Sequence, residues 1–355
     1  MSRIIDLNSG KAMVVTDLHG AWDAYQRLRD LFLEQQAKGE VDHFVICGDL
    51  IHNEGMEEVD ASLDMLLDVM ALQAELGKDK VIMLLGNHEL PHIYGLTLAK
   101  GSVEFTPRFE SALTRLDQRY KIAIKRNEVR MFLAGLPFFA RTKGGVLITH
   151  AGAASDVAST KHVERLLNLD HDELIGLADR ELKKFDIGSL QRGYSHFTGI
   201  SYDEQAKHYL SVSGVNDPRY NELLRVLFLS GQNTDFDLMW NTLFSQNELD
   251  VGESAYLKTL KNFLSYFSTV CKSELRVLVS GHISVKDGYA EIGKQQLRMA
   301  SCTHAFPRKS ARYLLLDCEK TINSSEDLLP GLRYVFENGD QPATGAASVA
   351  PMKSA

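Results

Sequence analysis

The sequence predicts an α/β protein, a β-sheet layer covered by helices, and three observations carry that expectation. Within residues 1–90, short β-branched apolar runs alternate with longer stretches of helical periodicity, giving strand-helix-strand-helix-strand. The run Val81-Ile82-Met83-Leu84-Leu85 feeds directly into Gly86-Asn87-His88-Glu89, which puts an amide, an imidazole and a carboxylate at the carboxyl end of a strand, where open α/β sheets form ligand crevices. The same construction recurs along the chain. Each time it delivers a residue type suited to a divalent metal.

The elements follow in order. Ala12-Met13-Val14-Val15-Thr16 is a strand that stops at Asp17-Leu18-His19-Gly20, and Asp17 and His19, two apart, point the same way from an extended segment. From Ala21 to about Gln36, Trp22, Tyr25, Leu28, Leu31 and Phe32 recur at helical spacing. Phe44-Val45-Ile46-Cys47 is the next strand, ending in Gly48-Asp49 and a loop with His52, Asn53, Glu54 and Gly55. A helix from about Val59 to Glu75 carries Leu63, Leu66, Leu67, Met70 and Ala74 on one face, and Gly77 closes it. Beyond Glu89, Pro107 to Asp117 is expected to be helical, and Val129 to Phe139 is apolar but broken by Gly135 and Pro137. Val146-Leu147-Ile148-Thr149 forms another strand, delivering His150-Ala151-Gly152. Residues from about 155 to 235 change texture: leucines at helical spacing, charges and the turn-formers Gly214, Asn216, Asp217 and Pro218 indicate a mainly helical insertion, a lid or wall. Asp237-Leu238-Met239-Trp240-Asn241 follows, then helical sequence to about Cys271, and strands return at Arg276 to Ser280, leading into Gly281-His282, then at Leu297 to Cys302, Tyr313 to Leu316 and Arg333 to Phe336. One catalytic domain over 1–337 is expected. The remainder, 338–355, is Gly, Ala, Ser and Pro without apolar periodicity and reads as a disordered tail.

Composition narrows the function classes. The 355 residues suffice for a sizeable core, and 44% hydrophobic with 24% charged residues fits a globular enzyme. A net charge of −8 argues against general nucleic-acid binding, which needs clustered excess Lys and Arg. Cys47, Cys271, Cys302 and Cys318 show no CxxC spacing, so they read as free thiols rather than a zinc ribbon or disulfide scaffold. Met1 to Gly10 has no apolar signal-like core and no run approaches membrane-spanning length. A reducing, cytoplasmic setting without a membrane partner is the expectation.

The candidate chemistry is the sum of the strand ends: Asp17 and His19, Asp49, Asn87 and His88, His150, and His282. Hard oxygen donors with imidazoles and no thiolates suit Mn, Fe or Zn in a site without cysteine ligands. So many donors exceed the need of one catalytic ion with open positions, which points to two divalent ions bridged by a shared carboxylate. Pairs at roughly 3.5–4 Å recur in phosphatases, where they lower the pKa of a bridging water and clamp the oxygens of an in-line displacement.

The set Asp17-x-His19-Gly20, Gly48-Asp49, Gly86-Asn87-His88-Glu89, His150-Ala151-Gly152 and Gly281-His282, in that order, resembles the calcineurin-like metallophosphoesterases. It is most similar to a bacterial-like branch of the phosphoprotein phosphatase (PPP) family. Leu238-Met239-Trp240 resembles that family's Leu-x-Trp segment, and Asp287-Gly288-Tyr289 with Gln296-Leu297 resembles the stretch after its last metal histidine. The resemblance implies a four-layer fold, a central β-sandwich flanked by helices. It implies hydrolysis of a phosphomonoester, on a phosphoprotein or small phosphorylated molecule, by a metal-bridging hydroxide. Asp17 and His19 would hold the first metal, Asp49 would bridge both, and Asn87, His150 and His282 would hold the second. His88 would be the acid that protonates the leaving oxygen. Ser284 stands where many phosphodiesterases of the superfamily carry a second histidine, which again favours the PPP-like set.

The departures from that pattern concern substrate grip. In Gly48-Asp49-Leu50-Ile51-His52-Asn53-Glu54-Gly55, His52 replaces the acid that orients the catalytic histidine, and Asn53 replaces a phosphate-binding arginine. Leu85 stands where the eukaryotic pattern has another arginine, so bidentate phosphate contacts are unassigned, with Arg192, Arg308 and Arg312 as candidate replacements. Against each functional reading stands a plainer one. An isolated Asp-x-His is usually a surface turn, His52 reads equally as a catalytic residue or a solvated loop histidine, and His92 and His304 qualify for substrate contact only by proximity in sequence. Trp240 reads as a packing residue near the site, Cys47 and Cys302 as buried strand thiols, and Glu57-Glu58 and Lys183-Lys184 as solvated faces. Two alternatives stay open: a dinucleoside polyphosphate or other phosphodiester hydrolase, and a metal-binding regulatory module with weak catalysis.

Overall fold

The computed structural model describes residues 2–55, 59–120, 124–245 and 247–336. The expected tail at 338–355 and the Glu57-Glu58 pair lie outside the described residues. Eleven strands build two sheets: β1 (Ile4–Leu7), β2 (Lys11–Val15), β3 (His43–Ile46), β4 (Val81–Met83), β5 (Phe139–Thr142), β6 (Val146–Thr149), β7 (Val277–Ser280), β8 (Tyr289–Ile292), β9 (Gln296–Met299), β10 (Arg312–Asp317) and β11 (Leu332–Tyr334). One sheet has the order β11-β10-β2-β3-β4 and the other β1-β5-β6-β7-β9-β8. The strands β2, β3 and β4 are parallel, in register Val14 to Val45 to Ile82, as are β6 and β7 through Ile148 and Val279.

Alternation along these strands decides the layering. Ala12, Val14, Val45, Cys47, Ile82, Leu84, Leu314 and Leu316 of the first sheet share one apolar layer with Ala140, Val146, Ile148, Val277, Val279, Leu297 and Met299 of the second. Their neighbours in sequence, Met13, Val15, Phe44, Ile46, Val81 and Met83, point the other way into a cluster with Tyr25, Leu28 and Phe32 of α1 (Trp22–Ala37) and Met65, Leu66 and Val69 of α2 (Ser62–Leu76). The rings of Phe32 and Phe44 stack at 5.1 Å. Behind the second sheet, Phe139 meets Phe267 of a long helix, Glu253–Cys271, at 4.6 Å. The result is helix, sheet, sheet, helix, the layered α/β architecture expected from the sequence.

Local chemistry sets the boundaries. The helix α2 starts at Ser62, later than the apolar spacing suggests, because the Asp60 side chain accepts the Ser62 N–H at 3.0 Å and Val59 is left exposed. It ends at Gly77, which has a positive φ of 109°. Thr106–Tyr120 forms α3 and Ile124–Ala134 forms α4, the latter stopping at Gly135 before β5 begins. Four further helices, α5 (Thr160–Leu167), α6 (His171–Leu182), α7 (Ile187–Thr198) and α8 (Tyr202–Leu210), precede a 3-10 segment at Glu222–Phe228. Val163, Leu166, Leu174 and Ala178 from α5 and α6 join the main core, whereas Tyr202, Ala206 and Leu210 of α8 pack with Tyr220, Leu223 and Leu224 in a cluster of their own. Then come α9 (Thr234–Leu243) and α10 (Glu253–Cys271). Among the described residues no helix is long and apolar enough to cross a membrane.

Candidate metal centre

The carboxyl ends of five strands meet at one edge of the sandwich. From the first sheet, β2 leads to Asp17 and His19, β3 to Asp49, and β4 to Asn87 and His88; from the second, β6 leads to His150 and β7 to His282. Backbone hydrogen bonds stitch these loops: His19 N–H donates to Asp49 O and Gly281 N–H to His150 O, both at 2.9 Å. The His282 N–H reaches across the sheets to Asp17 Oδ1 at 2.9 Å. The central atom is Asp49 Oδ2, which lies 3.4 Å from His150 Nε2, 3.7 Å from His19 Nε2 and 4.0 Å from His88 Nε2. His150 Nε2 is in turn 2.8 Å from Asn87 Oδ1 and 3.1 Å from His282 Nδ1. All the residues singled out from the strand-end motifs are therefore brought together.

Close backbone approach makes this convergence possible. Gly48, at φ 79°, passes so near Gly86 that a Cβ on it would sit 2.6 Å from Gly86 Cα. A Cβ on Gly86 would lie 2.5 Å from the Asp49 nitrogen and 2.7 Å from Glu89 Oε2. Glu89, fully buried, accepts the N–H groups of Gly86 at 2.9 Å and of Asp49 and Leu50 at 3.0 Å, so it clamps two loops together. Of the eight non-glycine residues with positive φ among the described residues, five are here: Asp17, His19, Asp49, His52 and His282. Such strain persists only where the surroundings over-determine it, and it concentrates at functional sites.

The electrostatics suit cation binding. Burial drives the pKa values of His19, His150, His282 and His88 below the ordinary imidazole range, His19 to about 4, so these rings are neutral donors. Hydrogen bonds fix which nitrogen is free: His150 Nδ1 donates to Cys47 O at 2.9 Å and His19 Nδ1 to His52 O at 3.2 Å, leaving both Nε2 lone pairs facing Asp49. The His19 Nε2 is buried without any hydrogen-bond partner, an arrangement that is costly unless something electropositive occupies the gap. Burial raises the Asp49 carboxyl, and the nearby Glu89 and Asp17 carboxylates add to it; a cation would relieve this. Among the described residues, three groups have donor atoms within 4.8 Å of one another: Asp17, His19 and His304; His19, Glu54 and His88; and Asp49, His150 and His282. Oxygen and imidazole donors without thiolate fit divalent ions such as Mn, Fe or Zn.

Two of these residues, Glu54 and His304, fall outside the strand-end set. His304 Nδ1 lies 3.3 Å from Asp17 Oδ1 and its Nε2 3.6 Å from Glu54 Oε2. Against its burial, the Asp17 and Glu54 carboxylates push His304 up to about 10. The only sequence signal for either is closeness to Asp49 or to the last motif. His52 is buried at 2% exposure, which excludes a solvated loop histidine. Its Nδ1 is 3.2 Å from His88 Nδ1 and its Nε2 2.8 Å from His92 Nε2. The candidate phosphate arginines are engaged elsewhere: Arg192 with Asp186 on α7, Arg308 with Asp23, and Arg312 beneath the Tyr334 ring. The arginine whose charge reaches His282 is Arg298, held bidentately by Glu248 at 2.7 Å. Trp240 stacks on Phe244 at 4.3 Å, and Phe244 presents its edge toward His282 at 6.5 Å, so the tryptophan packs one ring behind the site. Cys47 and Cys302 are buried, and Lys183 and Lys184 are exposed, as expected.

Comparison with known proteins adds an independent observation. The model of the calcineurin-like phosphoesterase family matches residues 10–210. No curated protein matches the chain significantly. Among solved structures, a protein serine/threonine phosphatase from Saccharomyces cerevisiae, described as similar to human phosphatase PP5, is 14% identical, with 96% of this chain and 85% of that one covered and a TM-score of 0.49. A metallophosphoesterase from Sphaerobacter thermophilus is 16% identical, covering 43% of this chain and 54% of that one at a TM-score of 0.24. The phosphoesterase Yfce from E. coli is 17% identical, covering 40% and 57% at a TM-score of 0.21.

Proposed function

The chain belongs to the calcineurin-like phosphoesterases, and from that premise we propose that it hydrolyses phosphomonoesters, of a phosphoprotein or a small phosphorylated molecule, at a pair of divalent ions. In this reading Asp17 and His19 hold one ion, Asp49 contributes to both, and Asn87, His150 and His282 hold the other. The observation that carries it is the placement of Asp49 Oδ2 among the Nε2 atoms of His19, His150 and His88 at 3.4–4.0 Å, with donors arriving from both sheets. Bound ions supply Lewis acidity, which activates a water and offsets charge on the phosphoryl oxygens.

The protein's own groups do the rest. His88 gives a proton from Nε2 to the departing oxygen, and His52 supports its ring from the side away from Asp49. Asp17 anchors the His282 backbone, and Glu89 anchors the Asp49 and Asn87 loops, so the donors are held in place before anything binds. Four free cysteines, three of them buried, support a reducing, cytoplasmic setting.

The test is turnover of para-nitrophenyl phosphate and of its bis ester with Mn, Fe, Zn and Mg supplied separately. Turnover of the monoester is expected to exceed that of the diester, and His88→Ala is expected to reduce kcat roughly 10²–10⁴-fold with metal content retained. Faster diester turnover would move the assignment to phosphodiester or dinucleoside polyphosphate hydrolysis. No turnover with any metal would leave a metal-binding regulatory module.

A further inference from the structure

We propose that Glu110 sets the tautomer of His88 through two intervening histidines, His92 and His52, so that a carboxylate two rings away positions the proton donor. The inference rests on the role given to His88 above. The atoms form one series: Glu110 Oε1 to His92 Nδ1 at 2.8 Å, His92 Nε2 to His52 Nε2 at 2.8 Å, and His52 Nδ1 to His88 Nδ1 at 3.2 Å. All four side chains are buried, between 2% and 7% exposed.

Proton counting gives the series a direction. Two ring nitrogens at hydrogen-bond distance share one proton, because two N–H groups repel and two lone pairs leave both unsatisfied. Glu110 can only accept: its Oε2 already takes Arg126 and, at 2.9 Å, Arg219. His92 therefore carries its proton on Nδ1 and offers a lone pair at Nε2. His52 must then be protonated at Nε2 and bare at Nδ1. His88, in turn, carries a proton on Nδ1. Its Nε2 is left to exchange protons on the side of Asp49, 4.0 Å away. This order requires His92 and His52 each to carry a single proton: Glu110 already has Arg126 and Arg219 as cationic partners, so His92 need not add a third charge. The His52 ring is stacked against Phe105 at 5.5 Å and edge-on to Phe109 at 5.9 Å, an apolar slot in which no carboxylate touches it among the described residues.

The chemistry of the proposed step agrees with this direction. In the proposed step His88 first takes up a proton from water at its bare Nε2, becoming an imidazolium, and then releases it to the leaving oxygen; the neutral ring left behind is the Nδ1–H form that the series already stabilises. With the carboxylate two rings away, the series transmits orientation while keeping the charge at Glu110.

Glu110→Gln inverts the series without removing a heavy atom. The arginines retain the amide oxygen, the amide N–H turns to His92 Nδ1, and every donor along the line reverses. The experiment is long-range proton–nitrogen NMR of the 15N-labelled, zinc-loaded protein, combined with steady-state kinetics on para-nitrophenyl phosphate. Native His88 is expected to be protonated at Nδ1 and bare at Nε2. Glu110→Gln is expected to show the opposite and to lower kcat roughly 10²-fold with KM unchanged, while Glu110→Asp restores both the native pattern and most of kcat. A native His88 protonated at Nε2, a doubly protonated His52, or a Glu110→Gln pattern identical to the native one would overturn the proposal. The native spectrum needs no variant and no turnover. Loss of the phosphatase reading and loss of the relay are thus separable results.

Discussion

Burial raises the cost of charging Glu110, yet the hydrogen bond from His92 and the charges of Arg219 and Arg126 outweigh it and hold its pKa at about 2. The sign of the linkage follows: a carboxyl depressed in the folded state stabilises the fold above its unfolded pKa and loses that contribution as the pH falls toward the folded value. Urea unfolding between pH 5 and pH 2 is therefore expected to show the native protein losing on the order of 3 kcal/mol that Glu110→Gln does not lose. Parallel profiles for the two proteins would contradict this. At the same scale, the donor set was legible because each member ends an apolar run, a pattern visible in one sequence. The relay was not. His52, His92 and Glu110 obey no common spacing, and Glu110 reads as an ordinary helical acid until α3 brings it beneath His92.

Helix α10 acts on the site through its first turn. Tyr256 donates its hydroxyl to Gln296 Oε1 at 2.7 Å and accepts the Ala153 N–H at 3.0 Å, while Gln296 donates to Ser280 Oγ at 2.8 Å. One phenol thus ties the segment after His150 to the two strands that lead into and pair beside His282. Tyr256→Phe leaves a buried N–H and a buried amide oxygen without this partner, at a cost of about 1–3 kcal/mol. Chemical denaturation should report that loss together with weaker metal retention; a change below about 0.5 kcal/mol would mean that water replaces the hydroxyl. Long periodic elements such as α1 and α10 were legible from apolar spacing. The edge strand Ile4–Leu7 was not, because Ile-Ile-Asp-Leu is too short to show a period and gains its strand state from parallel pairing with β5.

Across the whole molecule, the donors come from both sheets, so an ion held among them fastens one half of the sandwich to the other. Anything that binds only the folded state stabilises it, by about 2.7 kcal/mol at a hundredfold excess over Kd. Thermal unfolding is expected to shift upward with Mn or Zn and back with a chelator, and Asp49→Ala is expected to abolish most of the shift. An equal shift in Asp49→Ala would place the ion elsewhere. The layered architecture was legible in the alternation of strands and helices, whereas the pairing of β2 with β10 was not, since no local pattern joins segments so far apart. That pairing has a consequence for biosynthesis. Lys11–Val15 leaves the ribosome long before the neighbour that covers one of its edges, Arg312–Asp317. Throughout that interval the strand that delivers Asp17 has an open flank, so the nascent chain depends on being shielded from other strands until Arg312–Asp317 emerges.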